Sequence, residues 1–205
     1  MTDVEHQINS VAREVGNRIL EAGEGRVVTI RQTYPATVDD VWDACTNADR
    51  IPRWFLPLTG DLRVGGHYQF EGNAGGVVEK CDPPKSFSAT WEFGGQVSWI
   101  VVRLSAESPE STLFELEHVF LVDDKWNKFG PGAVGIGWDM GLMGLGLHLT
   151  SGESVDPDPG WLASESGRRM VALSGELWRE AHLASGVPAD VARGAADRTI
   201  AAYTP

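Results

Sequence analysis

One imidazole occurs in a run of the sequence whose apolar residues alternate. His118 lies within residues 112–120, and like Phe114, Leu116 and Phe120 it occupies an even-numbered position in this run. Because alternate side chains of a β-strand point to the same face, this spacing predicts an inward-facing histidine. A buried imidazole titrates close to neutrality, so it could orient a ligand oxygen or act as an acid or base. A core histidine bonded to a neighbouring carbonyl or to water is the alternative, and it is the commoner situation.

A carboxylate is the second residue with catalytic potential. Asp139 follows Trp138 at the predicted start of a helix, where the helix dipole favours a negative charge. That position explains Asp139 without a function, although pairing with His118 is conceivable. The sequence therefore assigns no catalytic residue, and His118 and Asp139 are weak candidates.

Aromatic residues are the unusual part of the composition, with eight tryptophans in 205 residues. Each tryptophan brings a large apolar area and one hydrogen-bond donor. So many of them predict either a well-filled core or a cavity lined by aromatic rings, since small-molecule sites are concave and mostly apolar. The face of Trp99 is ambiguous, because Ser98, Ile100 and Val102 form the competing set. The candidate ligand-binding residues are Trp42, Trp54, Phe55, Tyr68, Phe70, Trp91, Trp99, Phe114, His118, Trp138 and Met143.

Other kinds of site find no support in the sequence. The five histidines show no HxxxH or HExxH spacing, and the chain contains no GxxxxGK[ST] or GxSxG motif. Cys45 and Cys81 form no CxxC pair and are predicted to be reduced, buried packing residues. We therefore expect no metal and no cofactor.

Charge and hydropathy limit the partners. The chain has 17 Lys and Arg residues against 29 Asp and Glu residues, a net charge of -12, which argues against binding nucleic acid. No apolar run approaches the roughly 18 residues of a membrane-spanning helix. The first residues lack the basic region and apolar core of a secretory signal, so a cytoplasmic protein without a membrane partner is expected.

Two periodicities define the elements that position these residues. Apolar residues at spacings of three and four predict an amphipathic helix over 4–20, and strict alternation between 66 and 120 predicts an antiparallel meander with one wet face. The helical period returns over 133–150, where several glycines predict close packing against a neighbouring element. The same reasoning predicts a strand at 26–34, helices beginning near 38 and 48, a linker-like turn at 156–160, and two further helices near 170–181 and from 188.

Short motifs follow this order of elements and carry a family resemblance. They are YPATVDDVWDA from Tyr34, WFLP from Trp54, DLRVGGHYQF from Asp61, GVVE from Gly76 and GW at Gly137. Together they resemble the START-related SRPBCC superfamily and, within it, the family of homologues of the activator of the ninety-kilodalton heat-shock-protein ATPase.

The resemblance covers about residues 26–150 and implies an α+β helix-grip fold. In that fold a curved antiparallel sheet wraps around a long helix. Outside this domain, residues 1–25 are then an N-terminal helical extension and residues 151–205 a C-terminal helical tail. The apolar stripes of both extensions must pack on the domain or on a second copy, so a homodimer is one expected arrangement.

The resemblance also implies a function. The first expectation is a binding protein, without defined catalysis, for a small hydrophobic or aromatic molecule held between the sheet and the long helix. The first alternative is an enzyme of the polyketide-cyclase or hydrolase type, which would use His118, Asp139 and Tyr68 in the same cavity. The second alternative is a co-chaperone that activates a heat-shock-protein ATPase and needs an exposed surface instead of a cavity.

Overall fold

The computed structural model describes residues 4–152, 154 and 160–204. These residues divide into two compact units. Unit A contains residues 4–30, 121–140 and 160–204, and unit B contains residues 31–120, 141–152 and 154. The turn predicted over 156–160 lies, apart from Gly160, outside the described residues.

The predicted antiparallel meander is confirmed, as is the strand before it. The strands are β1 Ala12–Leu20, β2 Gly23–Tyr34, β3 Leu58–Gly60, β4 His67–Phe70, β5 Gly75–Asp82, β6 Ser86–Phe93, β7 Gln96–Ser108 and β8 Ser111–Leu121. They form one sheet in the order β1-β2-β8-β7-β6-β5-β4-β3. From β3 to β8, each strand pairs antiparallel with the next one in the chain.

Unit B combines the part of this sheet that lies within residues 31–120 with helix α2 (Val38–Thr46) and a short 3-10 helix (Ile51–Arg53). The side chain of Thr37 caps α2 by accepting from the backbone N–H of Asp40, as the sequence predicted. The second predicted helix, near 48–55, shortens to the 3-10 turn. The indole N–H of Trp54 donates to the Ala44 carbonyl at 2.8 Å and so fixes this turn against α2.

The long helix, α4 (Gly132–Ser151), occupies the span predicted from the helical period. Its glycines serve close packing, as expected. In unit B, a Cβ on Gly144 would overlap the Trp54 carbonyl; in unit A, a Cβ on Gly135 would overlap the Trp178 indole. The helical propensity lost at these glycines therefore permits one close contact with a backbone carbonyl and one with an indole ring, both of which alanine would block.

Unit A is mostly helical. Its other helices are α1 Val4–Asn9, α3 Asp124–Phe129, α5 Glu165–Ala184 and α6 Ala189–Tyr203. Val4 and Ile8 of α1 form a buried cluster with Met170 of α5, and Leu173 and Leu177 pack against it. The apolar stripes of the two extensions thus cover each other within one chain.

The single helix predicted over residues 4–20 is wrong beyond Asn9, because residues 12–20 form β1. The N-terminal extension is therefore part helix and part strand. Ile19, which completed the helical stripe, is 82% exposed, whereas Val11 and Val15 are buried at alternating positions. The residue between them in this alternation is Arg13, and a charged residue at an inward position concealed the strand period.

Arg13 points inward because it forms a buried ion pair with Asp139. Its Nη2 and Nε lie 2.7 and 3.1 Å from the two carboxylate oxygens, and both side chains are almost fully buried. The remaining guanidinium hydrogens go to the carbonyls of Ile8 and Val11, so all five N–H donors are used. Asp139 is the eighth residue of α4, not a first-turn residue as the sequence suggested.

We expect Asp139→Ala to destabilise the protein by about 3–5 kcal/mol, because it leaves the Arg13 guanidinium buried without a counter-charge. Glu176→Ala, which breaks an exposed pair with Arg179, should cost less than about 1 kcal/mol. Urea unfolding monitored by circular dichroism measures both values. Equal losses in the two variants would show that the buried pair has no special importance.

Candidate ligand-binding site

The register of β6, β7 and β8 places three polar or aromatic residues on one face of unit B. Trp91 pairs with Ser98, and His118 pairs with Ile100, two residues further along β7. Because residues two apart share a face, Trp91, Ser98 and His118 lie on the same side of the sheet. This side, which we call the inner face, is the one predicted for His118.

A short hydrogen-bond chain fixes the imidazole. The Ser98 hydroxyl lies 2.8 Å from Nε2 of His118 and donates to the Trp91 carbonyl, also at 2.8 Å. Since a hydroxyl has one hydrogen and the carbonyl can only accept, Nε2 must donate to Ser98. The geometry therefore selects the tautomer of His118 that carries its proton on Nε2 and its lone pair on Nδ1.

Burial keeps this imidazole neutral. His118 is only 3% exposed, and removal from water lowers its pKa from 6.5 to about 3. A histidine with such a pKa stays unprotonated at neutral pH and is a weak base there. Its chemistry on the inner face is that of a fixed, uncharged hydrogen-bonding group.

Aromatic rings continue from His118 across the inner face. Measured between ring centroids, His118 lies 5.4 Å from Phe120 and 6.1 Å from Trp91, and Trp91 lies 5.7 Å from Phe70. Phe70 in turn contacts Phe55 at 5.0 Å and Tyr68 at 5.6 Å, and Phe55 contacts Trp54 at 5.6 Å. We call this series the aromatic chain; its members are Trp54, Phe55, Tyr68, Phe70, Trp91, His118 and Phe120.

The aromatic chain contains six of the predicted ligand-binding residues, and the others lie elsewhere. Trp42 packs on Phe87, and Phe114 packs on Tyr34. Met143 is half-buried on α4, and Trp138 lies in the part of α4 that belongs to unit A. Trp99 is a correction, because it pairs with Val119 and Thr90 and so faces the opposite side of the sheet from His118.

Tyr68 has a structural task within the aromatic chain. Its hydroxyl donates to the Thr90 carbonyl at 2.6 Å, and burial, together with the charge of Glu92, raises the pKa of the phenol. Both effects keep the phenol protonated at neutral pH, so Tyr68 is poorly suited to the acid–base role considered for an enzyme.

Sequence reasoning missed two residues of this site. Phe120 was assigned to the inward face but not to the ligand-binding set, and Ser98 was recognised only as a member of the face competing with Trp99. Parity within β7 would have placed Ser98 beside Ile100, but its contact with His118 depends on the register between β7 and β8.

The structure also bears on the cysteines, on metal sites and on membrane-spanning helices. Cys45 is half-buried, but Cys81 is exposed, which corrects its assignment as a packing residue. Among the described residues, no cluster of His, Cys, Asp and Glu could hold a metal ion. In the same part of the chain, no helix is long and apolar enough to cross a membrane.

The family model described as Activator of Hsp90 ATPase homolog 1-like protein matches residues 35–149. The chain belongs to this family. It has the α+β helix-grip fold that the resemblance implied, and the matched residues include strands β3 to β8 and α4 up to residue 149.

Solved structures agree with this assignment. CalU16 from Micromonospora echinospora is 36% identical, with 87% of this chain and 99% of that chain covered and a TM-score of 0.69. DynU16, a protein from the dynemicin biosynthetic locus, is 19% identical over 62% of this chain and 48% of its own, with a TM-score of 0.56. PFC0360w, an HSP90 activator from Plasmodium falciparum, is 20% identical over 62% of this chain and 96% of its own, with a TM-score of 0.53.

The two structures near 20% identity show the fold alone. No curated protein matches the chain.

The lowered pKa of His118 predicts a pH-dependent stability. Between pH 6.5 and 3, His118 binds a proton in the unfolded chain but not in the folded chain. The free energy of unfolding therefore falls as the pH falls, by about 1.4 kcal/mol per pH unit from this group. His118→Gln should remove this contribution to the slope of unfolding free energy against pH, which urea unfolding measures from pH 7 to pH 5. His182, whose pKa burial also lowers, contributes in the same direction to both proteins.

Phe120→Leu is the control for this measurement, because it removes packing beside the same imidazole without removing a titrating group. We expect it to lower stability at every pH and to keep the slope of the parent protein. An unchanged slope in His118→Gln would mean that the imidazole is not held neutral by burial.

Proposed function

We propose that the protein binds a small hydrophobic or aromatic molecule on the inner face of unit B, without chemical conversion. The observation that carries this proposal is the position of His118, a neutral and hydrogen-bonded imidazole between Trp91 and Phe120. A polar group with a fixed direction among aromatic rings is what a site needs to orient a mostly apolar ligand.

The exposure of the rings supports a site over a filled core. Trp54, Phe55, Trp91 and Phe120 are only half-buried, although they belong to the aromatic chain. Large apolar side chains that keep accessible area on an inward face leave surface for a ligand to cover. Covering about 100 Å² of such surface would contribute roughly 2.5 kcal/mol to binding.

The polar groups favour binding over catalysis. An acid–base enzyme needs a group whose pKa lies near the working pH. His118 titrates near pH 3, and Tyr68 donates to a backbone carbonyl. Asp139, the other weak candidate, accepts from Arg13, Ser174 and Trp178 in unit A, which accounts for its carboxylate as a structural group.

Two expectations from the family remain open as separate proposals. A co-chaperone role would show as stimulation of a chaperone ATPase by the purified protein. A homodimer would show as twice the mass of the 22.2 kDa chain in light scattering. Neither depends on the inner face.

Tryptophan quenching with a panel of aromatic and long-chain ligands tests the binding proposal. We expect Trp91→Leu to weaken the best ligand strongly and Trp99→Leu, on the opposite face, to leave its affinity unchanged. His118→Phe keeps a similar volume but removes the hydrogen bond, so we expect a loss of about threefold to tenfold, equivalent to roughly 0.5–1.5 kcal/mol.

Equal affinities for Trp91→Leu and Trp99→Leu would locate the ligand away from the inner face. If His118→Phe binds as tightly as the parent, His118 is a core histidine and not a ligand contact. If no ligand in the panel binds, the proposed function loses its support.

A further inference from the structure

A row of paired residues crosses five strands on the face of unit B opposite to His118. Each member of the row is the direct cross-strand partner of the next. The row runs through Thr59, Gln69, Gly75, Glu92 and Val97. Glu92 follows Trp91 directly in β6, and strand alternation therefore turns the two side chains to opposite faces. We call this second side the outer face.

The centre of the row is a glycine, so no side chain of that residue separates Gln69 from Glu92; we call this position the gap. A Cβ on Gly75 would lie 2.5 Å from Oε1 of Gln69, and a Cβ on Gly76 would overlap the Thr90 carbonyl. A groove of about 560 Å³ opens here, between β3 and the β6–β7 turn at Gly94 and Gly95. This volume lies within the range of small-molecule sites.

Hydrogen-bond acceptors stand on both sides of the gap. Nε2 of Gln69 donates to the carbonyls of Phe70 and Asn73 at 2.8 and 2.7 Å, which fixes the amide and leaves Oε1 toward Gly75. Across the gap, the carboxylate of Glu92 accepts from the Thr90 hydroxyl at 2.9 Å. The backbones of Gln69 and Glu92 are two strand spacings apart, about 9–10 Å. Oε1 of Gln69 extends to Gly75, so the space left between the two acceptors suits one small donor group.

The groove also has an apolar side and a negative charge. Val97, which shares the outer face with Glu92 at the β6–β7 end, is 46% exposed. Glu92 is the only Asp, Glu, Lys or Arg among the described residues that line it. The chain as a whole carries a charge of -12, which raises the local concentration of cations.

We propose that this groove binds an organic cation, with an ammonium or guanidinium group between Gln69 and Glu92 and an aromatic or alkyl arm against Val97. The acceptors supply charge-assisted hydrogen bonds to the cation, and the exposed Val97 side chain supplies contact area for the arm. This site lies on the outer face and does not depend on ligand binding at His118.

Titration with 2-phenylethylammonium, followed by amide NMR of the full chain, tests the proposal. We expect shifts at the groove glycines Gly75, Gly76, Gly94 and Gly95. The neutral isostere 2-phenylethanol should bind about tenfold more weakly or not at all, because a hydrogen bond to a charged group exceeds one between neutral groups.

Glu92→Gln should weaken the ammonium compound about tenfold or more while changing the shape of the groove little. Glu110→Gln, at the far end of the β7–β8 hairpin, is the matched control and should bind as the parent does. Gly75→Ala, which places a methyl group in the gap, should also weaken binding.

Equal binding of the alcohol and the ammonium compound, or unchanged affinity in Glu92→Gln, would overturn the cation site. The proposal also fails if neither compound shifts the groove glycines. Shifts confined to Ser98 and Trp91 would place the probe on the inner face and likewise refute the outer site, while leaving the proposed function intact.

Discussion

A carboxylate without access to water must be surrounded by donors, and in unit A that requirement organises the chain. Asp139 is 0% exposed, and burial raises its pKa while Arg13, Ser174 and Trp178 act to lower it. Its Oδ2 accepts from Ser174 at 2.5 Å, Trp178 at 2.9 Å and Arg13. The donors come from β1 and α5, so a single side chain of α4 connects segments more than one hundred residues apart.

The arginine of this pair also binds backbone groups near the end of α1. Arg13 donates to the carbonyls of Ile8 and Val11, near the end of α1, where a helix leaves acceptors without partners. Lysine could not replace it, because its three donors cannot make the five hydrogen bonds that Arg13 makes. The ion pair therefore ties the end of α1 and the start of β1 to α4.

Whether a feature could be predicted from the sequence depends on whether neighbouring residues or distant residues determine it. The meander and the inward face of His118 depend on parity within one strand, and both were predictable from spacing alone. The strand β1 was not predictable, because its inward position 13 holds a charged residue. Arg13 pairs there with Asp139, which is 126 residues away in the chain. Ser98 was missed for a related reason, since its contact with His118 requires the register between two strands.

Strand parity also determines which ligand chemistry each face of unit B can accept. Trp91 and Glu92 are neighbours in the chain, yet one belongs to the aromatic chain and the other to the acceptor-lined groove. A charged ligand would lose its hydration beside His118 without gaining a counter-charge, because burial keeps that imidazole neutral. A cation on the outer face would keep part of its hydration and meet the Glu92 carboxylate. Under the two proposals, the inner face would select uncharged, apolar molecules and the outer face cations, and a one-residue change of register would exchange the two chemistries.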